Sequence, residues 1–403
     1  RIAVTHGTVA VVSDPHEIAN VLGLDGVRYM IENARKSLLK FFFGVPSCVP
    51  ATPFETSGAC IDSRAVSEFL GTGDVWYLSE VMNYPGVLNR EEEIMAKISA
   101  ARKLKKPIDG HAPGLTGDML SQYVGAGIST DHETGDMDEA LEKLRLSMSV
   151  QIREGSAAKD FDALHGIIDE YSHLCMFCSD DKHPDDLIKG HINLLVKKAV
   201  ALGHDPMAVL RCACVNPVLH YGIDVGLLQR GDPADLVVVS DLETLSVVET
   251  WINGNRVAER GKTLLPGAAG EAPNVFNAGP KDESQFRVPA PSEEIRIIHA
   301  ADGQLVTKQI LDRALVERGC AVSDPSRDIL KISVVNRYVD SPPALGFVRG
   351  FSLKRGAIAT SVAHDSHNIV EVGVTDRDIG DAVNEVIRRK GGLAAAHDGE
   401  VES

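Results

Sequence analysis

Nine side chains able to do acid–base or metal chemistry fall at the ends of short apolar runs: His16, Glu17, Glu80, His111, His132, Glu154, Asp180, Asp181 and His183. They are imidazoles and carboxylates with no thiolate among them, a donor mix that suits Zn2+, Mn2+ or Fe2+. A carboxylate such as Glu80 can bridge two cations, and an aspartate can both ligate and take a proton from metal-bound water. Coordination makes hydroxide available near neutral pH. Two imidazoles, a bridging carboxylate and an aspartate on successive strands therefore point to metal-assisted hydrolysis.

The elements that must hold these groups repeat one theme from residue 1 to about 230: a short apolar strand, a polar or Gly-rich turn, then a helix. Strands are expected at Thr8–Ser13, Phe41–Val45 and Val75–Leu78, at the runs ending in Asp109-Gly110-His111 and Asp131-His132-Glu133, and at Ser147–Ile152 and His173–Cys178. Between the two histidine runs, Met119, Leu120 and Tyr123 recur at helical spacing behind Thr116 and Asp118, either of which could cap the helix. Regular alternation of this kind predicts a parallel sheet. Polar residues at every strand end favour a barrel, whose loops all face one site. There is no GxGxxG or GxxxxGKS, so no dinucleotide or phosphate loop is indicated.

Beyond residue 225 the texture changes. A β module is expected over 226–265, with a buried strand in Asp235-Leu-Val-Val-Val-Ser240 and a hairpin through Asn253-Gly254. Residues 266–293, rich in Pro, Gly and Ala, read as a linker. A C-terminal α/β region over 294–403 has strand candidates at 295–299, 304–307, 328–335, 345–351, 357–362 and 368–374, and a helix at 376–390. A net charge of −16 and a pI near 5.3 argue against a nucleic-acid surface. No run of eighteen apolar residues is present, so no membrane span is expected. Seven cysteines without framework spacing point to a reducing compartment, hence the cytoplasm. Cys175 and Cys178 lie on a strand and face opposite sides, and Cys212 and Cys214 diverge on a helix, so both pairs read as structural.

The order Glu80, His111, His132, Asp180 on successive strands resembles the amidohydrolase superfamily. Several runs resemble the bacterial adenine deaminase family in particular: Ser13-Asp-Pro-His-Glu-Ile-Ala-Asn-Val-Leu-Gly23, Ser79-Glu-Val-Met-Asn-Tyr-Pro-Gly-Val87, Asp109-Gly-His-Ala-Pro-Gly114, Ser129-Thr-Asp-His-Glu133, Ser179-Asp-Asp-Lys-His-Pro-Asp-Asp186 and Ser361-Val-Ala-His-Asp-Ser-His-Asn368. Gly231-Asp-Pro-Ala-Asp-Leu-Val237 marks the flanking β module more broadly. The resemblance implies a TIM-type (β/α)8 barrel over 1–225 with that module and a C-terminal domain. It implies deamination of adenine to hypoxanthine and ammonia by a metal-bound hydroxide, in cytoplasmic purine salvage, with two divalent metals per site (Mn favoured over Fe or Zn). A homo-oligomer is expected. Glu80 would bridge, His111 and His132 would ligate the second metal, and Asp180 would ligate the first and act as base. His16, Glu17, Asp181, His183, His364 and His367 are candidates to bind the substrate.

Two departures accompany the resemblance. Amidohydrolases open with a His-x-His on the first barrel strand; none occurs here, and residue 1 falls where the second strand begins, so the first strand and half of one metal site are expected to precede it. Adenosine deaminases place a glutamate just after the strand-five histidine to protonate N1, whereas His111 is followed by Ala112-Pro113-Gly114. Glu17, Glu80 and Glu133 are the candidates for that donor. The competing expectations are another amidohydrolase reaction, on a cyclic amide or an N-acetyl group, and a catalytically incomplete remnant that binds rather than reacts.

Overall fold

All seven expected parallel strands form: Ala10–Ser13 (β1), Lys40–Val45 (β2), Tyr77–Val81 (β3), Ile108–Gly110 (β4), Thr130–Asp131 (β5), Ser149–Arg153 (β6) and Cys175–Cys178 (β7). The structure is a computed structural model that describes residues 1–267, 270, 272–290, 294–301 and 306–403. Strands β1 to β4 pair in chain order, as do β5 to β7, all in parallel. The two runs meet where the Ser129 N–H donates to the Ile108 carbonyl at 2.9 Å, and together they make the wall of an α/β barrel.

One face of the wall packs against the helices, through Val45, Leu78, Ile94, Ile98, Ile108 and Leu120 on the β1–β4 side. The other face holds Phe42, Tyr77, Met176 and Tyr221. Tyr221, from the helix Asn216–Tyr221, donates to Asp109 Oδ2 at 2.7 Å and accepts from Gln151 Nε2 at 2.9 Å, so the polar residues inside the wall satisfy one another. Among the described residues no strand pairs with the outer edge of β1 or of β7. There Thr8 Oγ1 lies 2.7 Å from His191 Nδ1, whose Nε2 lies 3.1 Å from Ser179 Oγ at the end of β7.

The β module follows as four antiparallel strands, Leu236–Val239 (β8), Val247–Ile252 (β9), Asn255–Glu259 (β10) and Lys262–Thr263 (β11), in the order β11-β10-β9-β8. Positive φ at Asn253 (49°) and Gly254 (74°) gives the expected I′ turn. Asp235 organises the module: it accepts from Asn253 N–H at 2.9 Å, Gly226 N–H at 3.0 Å and Lys40 Nζ at 2.7 Å. The strand expected to be buried is half-exposed, because β8 is an edge and both Val237 and Val238 are solvent-accessible.

The chain divides into two compact units, Arg1–Ala19, Leu24–Thr52 and Ile61–Ala272 in the first, and Asn20–Gly23, Pro53–Cys60 and Pro273–Ser403 in the second. Much of the expected linker is structured within the second unit. Phe286, in the turn Glu283–Phe286, is fully buried in its core, and Val288–Pro289 (β12) pairs with a later strand. An aromatic anchor thus overrides the Pro/Gly composition. The unit continues with Glu294–His299 (β13), Lys308–Arg313 (β14), Leu315–Glu317 (β15), Cys320–Val322 (β16), Leu330–Val335 (β17), Ala344–Arg349 (β18), Ala357–Thr360 (β19), Ile369–Gly373 (β20), Leu393–His397 (β21) and Glu400–Glu402 (β22). Eight of them form a sheet in the order β14-β13-β18-β17-β20-β19-β21-β22, and β12, β16 and β15 form a small second one. The strand expected at 304–307 lies partly outside the described residues. The helix Asp376–Arg389, capped by Thr375, packs Ile379, Ala382, Val383 and Val386 on the sheet.

Under that helix lies an ionisable group, Glu371 on β20, paired across the sheet with Ser333 and Ala359. Burial pushes its carboxyl up to about 8, against the Ser333 hydroxyl that donates to it and the charge of Lys331. A folded-state value raised above the unfolded one gives stability that is complete below about pH 4.5 and is lost as pH rises through 8. The second unit is therefore expected to lose up to roughly 1.4 kcal/mol per pH unit in that window. Glu371→Gln should flatten the dependence and raise the melting temperature at pH 8.5. A variant that melts below the parent at that pH would show that the ionised carboxylate is needed.

Candidate active site

The site assembles at the carboxyl ends of β1, β3, β4, β5, β6 and β7. Glu80, near the end of β3, is its centre. Its Oε2 lies 2.7 Å from His111 Nδ1 and 3.1 Å from His132 Nε2, and its Oε1 lies 3.4 Å from His16 Nδ1. The two imidazole rings cross at 75°, 5.5 Å apart. His16, first residue of the helix His16–Leu22, also lies 3.2 Å from Asp14 and 3.3 Å from Glu17. Three groups of donors converge at ligand spacing: Glu80, His111 and His132; Asp14, His16 and Glu80; and His132, Glu133 and Asp180.

Two buried hydrogen-bond centres set this spacing. Tyr123, fully buried on the helix Gly117–Gly125, donates to the Val81 carbonyl at 2.8 Å and accepts the His111 N–H at 3.0 Å, tying the end of β3 to that of β4. Met119, expected on the same face, points to solvent. Asp131 on β5 accepts the N–H of Ala112 at 3.4 Å and of Glu133 at 2.9 Å, so the residue after each histidine hangs on one carboxylate. That carboxylate is held by Lys143 at 2.5 Å, and Lys143 is itself fully buried, donating also to Glu139, Thr134 and the Ala112 carbonyl. Burial would push Asp131 up, but the Lys143 and His132 charges hold it below the usual range.

The electrostatics fit a cation. Burial opposes charge on Glu80, yet His132 and His111 outweigh it and hold the carboxyl well below the ordinary value. In turn Glu80 overcomes the burial of His132 and pushes it up to about 10. Two imidazoles against one carboxylate oxygen call for positive charge between them. A proton on His132 supplies it in the protein alone, and a divalent ion fits the same nitrogen and oxygen donors.

Asp180 follows β7 with φ at 46°, a region costly for an L side chain and typical of functional loops. Its Oδ2 accepts from Arg153 Nη1 at 2.7 Å. Arg153 closes β6 and also grips both oxygens of Glu133. Sequence reading passed over Arg153 and Asp14; the signal for both was their place at a strand end, the criterion that found the others. Glu154 turns to Lys198, 3.8 Å away, and joins none of the donor groups. Asp181 and His183 lie on the exposed loop after β7, where His183 heads the helix Pro184–Lys189 and donates its N–H to Ser156. His364 and His367 belong to the second unit; His364 Nδ1 lies 3.0 Å from Asp365 Oδ1.

Fold and donor set define a metal-dependent hydrolase built on an α/β barrel. The amidohydrolase family model matches residues 1–257, and the model of the adenine deaminase C-terminal domain matches residues 304–403. The adenine deaminase of Salinibacter ruber (strain DSM 13855 / M31) is 54% identical over 99% of this chain and 73% of its own length. That of Methanosarcina barkeri (strain Fusaro / DSM 804) is 52% identical over 98% and 73%, and that of Sulfurovum sp. (strain NBC37-1) 51% over 100% and 74%. The chain belongs to the amidohydrolase family and, within it, to the adenine deaminases.

The Asp131–Lys143 pair yields a test of how the site is held. Lys143→Met strands a buried carboxylate and should cost about 3–5 kcal/mol, read as a lower urea midpoint. An unchanged midpoint would mean that the pair is dispensable.

Proposed function

We propose that this protein hydrolyses adenine to hypoxanthine and ammonia at a site holding two divalent cations, manganese favoured. The observation that carries the reading is the division of Glu80, whose Oε2 serves His111 and His132 while Oε1 faces His16 and, beyond it, Asp14. A carboxylate offering one oxygen to each of two donor groups would be suited to bridge two cations. The bound cations supply Lewis acidity and make water a nucleophile near neutral pH.

The chain's own groups divide the remaining work. Asp180 takes the proton of the attacking water and returns it to the departing amino group, as general base and then acid. Glu133, with both oxygens on Arg153, is an acceptor, and Glu80 is shared among the histidines. Glu17, the most exposed of the three candidate carboxyls and beside His16, would meet the purine ring and protonate N1. Seven cysteines, none of them paired, favour a reducing cytoplasm, where the activity would serve purine salvage in a homo-oligomer. The barrel over 1–225 and the module to 265 would carry the chemistry, with 294–403 as the C-terminal adenine deaminase-type domain.

Full-length enzyme loaded with Mn2+ should release ammonia from adenine and not from cytosine, should neither open a hydantoin ring nor release acetate from an N-acetyl sugar, and chelation should abolish the activity. Asp180→Asn is expected to lower kcat by about 10^2- to 10^4-fold. Normal turnover by that variant would remove Asp180 from the mechanism.

A further inference from the structure

We infer that Arg153 is a positioning residue that sets the orientation of the base Asp180, an inference that rests on the deaminase reading above. Its guanidinium is almost fully buried, and three carboxylates converge on it. Nη1 donates to Asp180 Oδ2 at 2.7 Å and to Glu133 Oε1, Nη2 to Glu133 Oε2 at 3.0 Å, and Nε to Asp160 Oδ2 at 3.0 Å. Glu133 and Asp180 both reach ligand spacing with His132. Without a cation between them, two carboxylates that close would repel and turn apart. The planar fork fixes both at once, which a lysine's point charge does not. It engages only Oδ2 of Asp180, so proton transfer falls to the other oxygen, Oδ1.

Arg153 is anchored from the far side as well. Among the described residues the Asp160 carboxylate accepts from Nε alone, and the Asp160 N–H returns to the Arg153 carbonyl at 2.9 Å. The guanidinium is thus held by its own strand end and by the loop that follows. An error of about 1 Å in such a positioning group is enough to cost roughly 10^2-fold in rate.

The test compares the metal-loaded full-length parent with Arg153→Met, Arg153→Lys and Asp160→Asn. Arg153→Met should lose about 100-fold in kcat with KM within about 3-fold, while elemental analysis finds the parent's metal content. Added methylguanidine at tens of millimolar should restore kcat by about 10-fold or more, and Arg153→Lys should fall between parent and Arg153→Met. Asp160→Asn, which leaves the guanidinium in place but loosens it, should lose about 3- to 10-fold in kcat and so carries the test if Arg153→Met does not fold. Parental kcat in Arg153→Met or Asp160→Asn would overturn the inference, as would a loss of activity matched by loss of metal or insensitive to methylguanidine. A parent inactive on adenine would remove the functional reading and this inference together, whereas an active parent with active variants would remove the inference alone.

Discussion

The buried pair of Asp131 and Lys143 is the constraint on which the site depends. A carboxylate and an ammonium, both shielded from water, are tolerated only when every lone pair and proton is used. Here the three N–H groups of Lys143 are shared among Asp131, Glu139, Thr134 and, at 3.3 Å, the Ala112 carbonyl, and Asp131 accepts from Lys143 and from two backbone amides. Those amides belong to the residues that follow His111 and His132. The separation of the two imidazoles is therefore set by main-chain hydrogen bonds to one fixed point, not by the rotamers of the histidines. Tyr123 extends the same device to the end of β3, where Glu80 stands.

Charge balance follows from that geometry. Asp14, Glu80, Glu133 and Asp180 surround three imidazoles, and among the described residues Arg153 is the permanent cation that touches Glu133 and Asp180. Its place between Glu133 and Asp180 leaves the two donor groups around Glu80 as those still calling for positive charge. Nitrogen and oxygen donors of that kind suit a divalent cation, whereas Glu133 and Asp180 already share the guanidinium.

How far this was legible in the sequence follows from what each signal measures. Glu80, His111, His132 and Asp180 could be found because each ends a short apolar run, and in a barrel all strand ends share one face. Lys143 could not, because with Glu139 four residues earlier it reads as an exposed helical ion pair, and only tertiary packing buries it. Arg153 ends a strand as plainly as the others but is no metal donor, so a search for ligands passed over it. Composition misled at residues 273–290, where Phe286 supplies a core anchor within a Pro- and Gly-rich stretch, and at β8, where a run of valines is an edge. Strands β14 to β16 escaped notice because their short polar alternation hides in turn-like sequence.

The outer edges of β1 and β7 show the same economy at the other end of the site. His191 is buried, and burial, with the charge of Lys182 nearby, lowers its basicity to about 4, so the ring is neutral at any working pH. A neutral imidazole has one donor and one acceptor, and its two contacts, to Thr8 and Ser179, use both while the hydroxyls rotate to suit. Protonation would turn both nitrogens into donors and force both hydroxyls to accept. Ser179 precedes Asp180, whose left-handed backbone needs an anchor to persist. The neutral ring holds the Ser179 side chain from the Thr8 side, as Arg153 holds the Asp180 carboxylate from β6, so the end of β7 is tied on two sides.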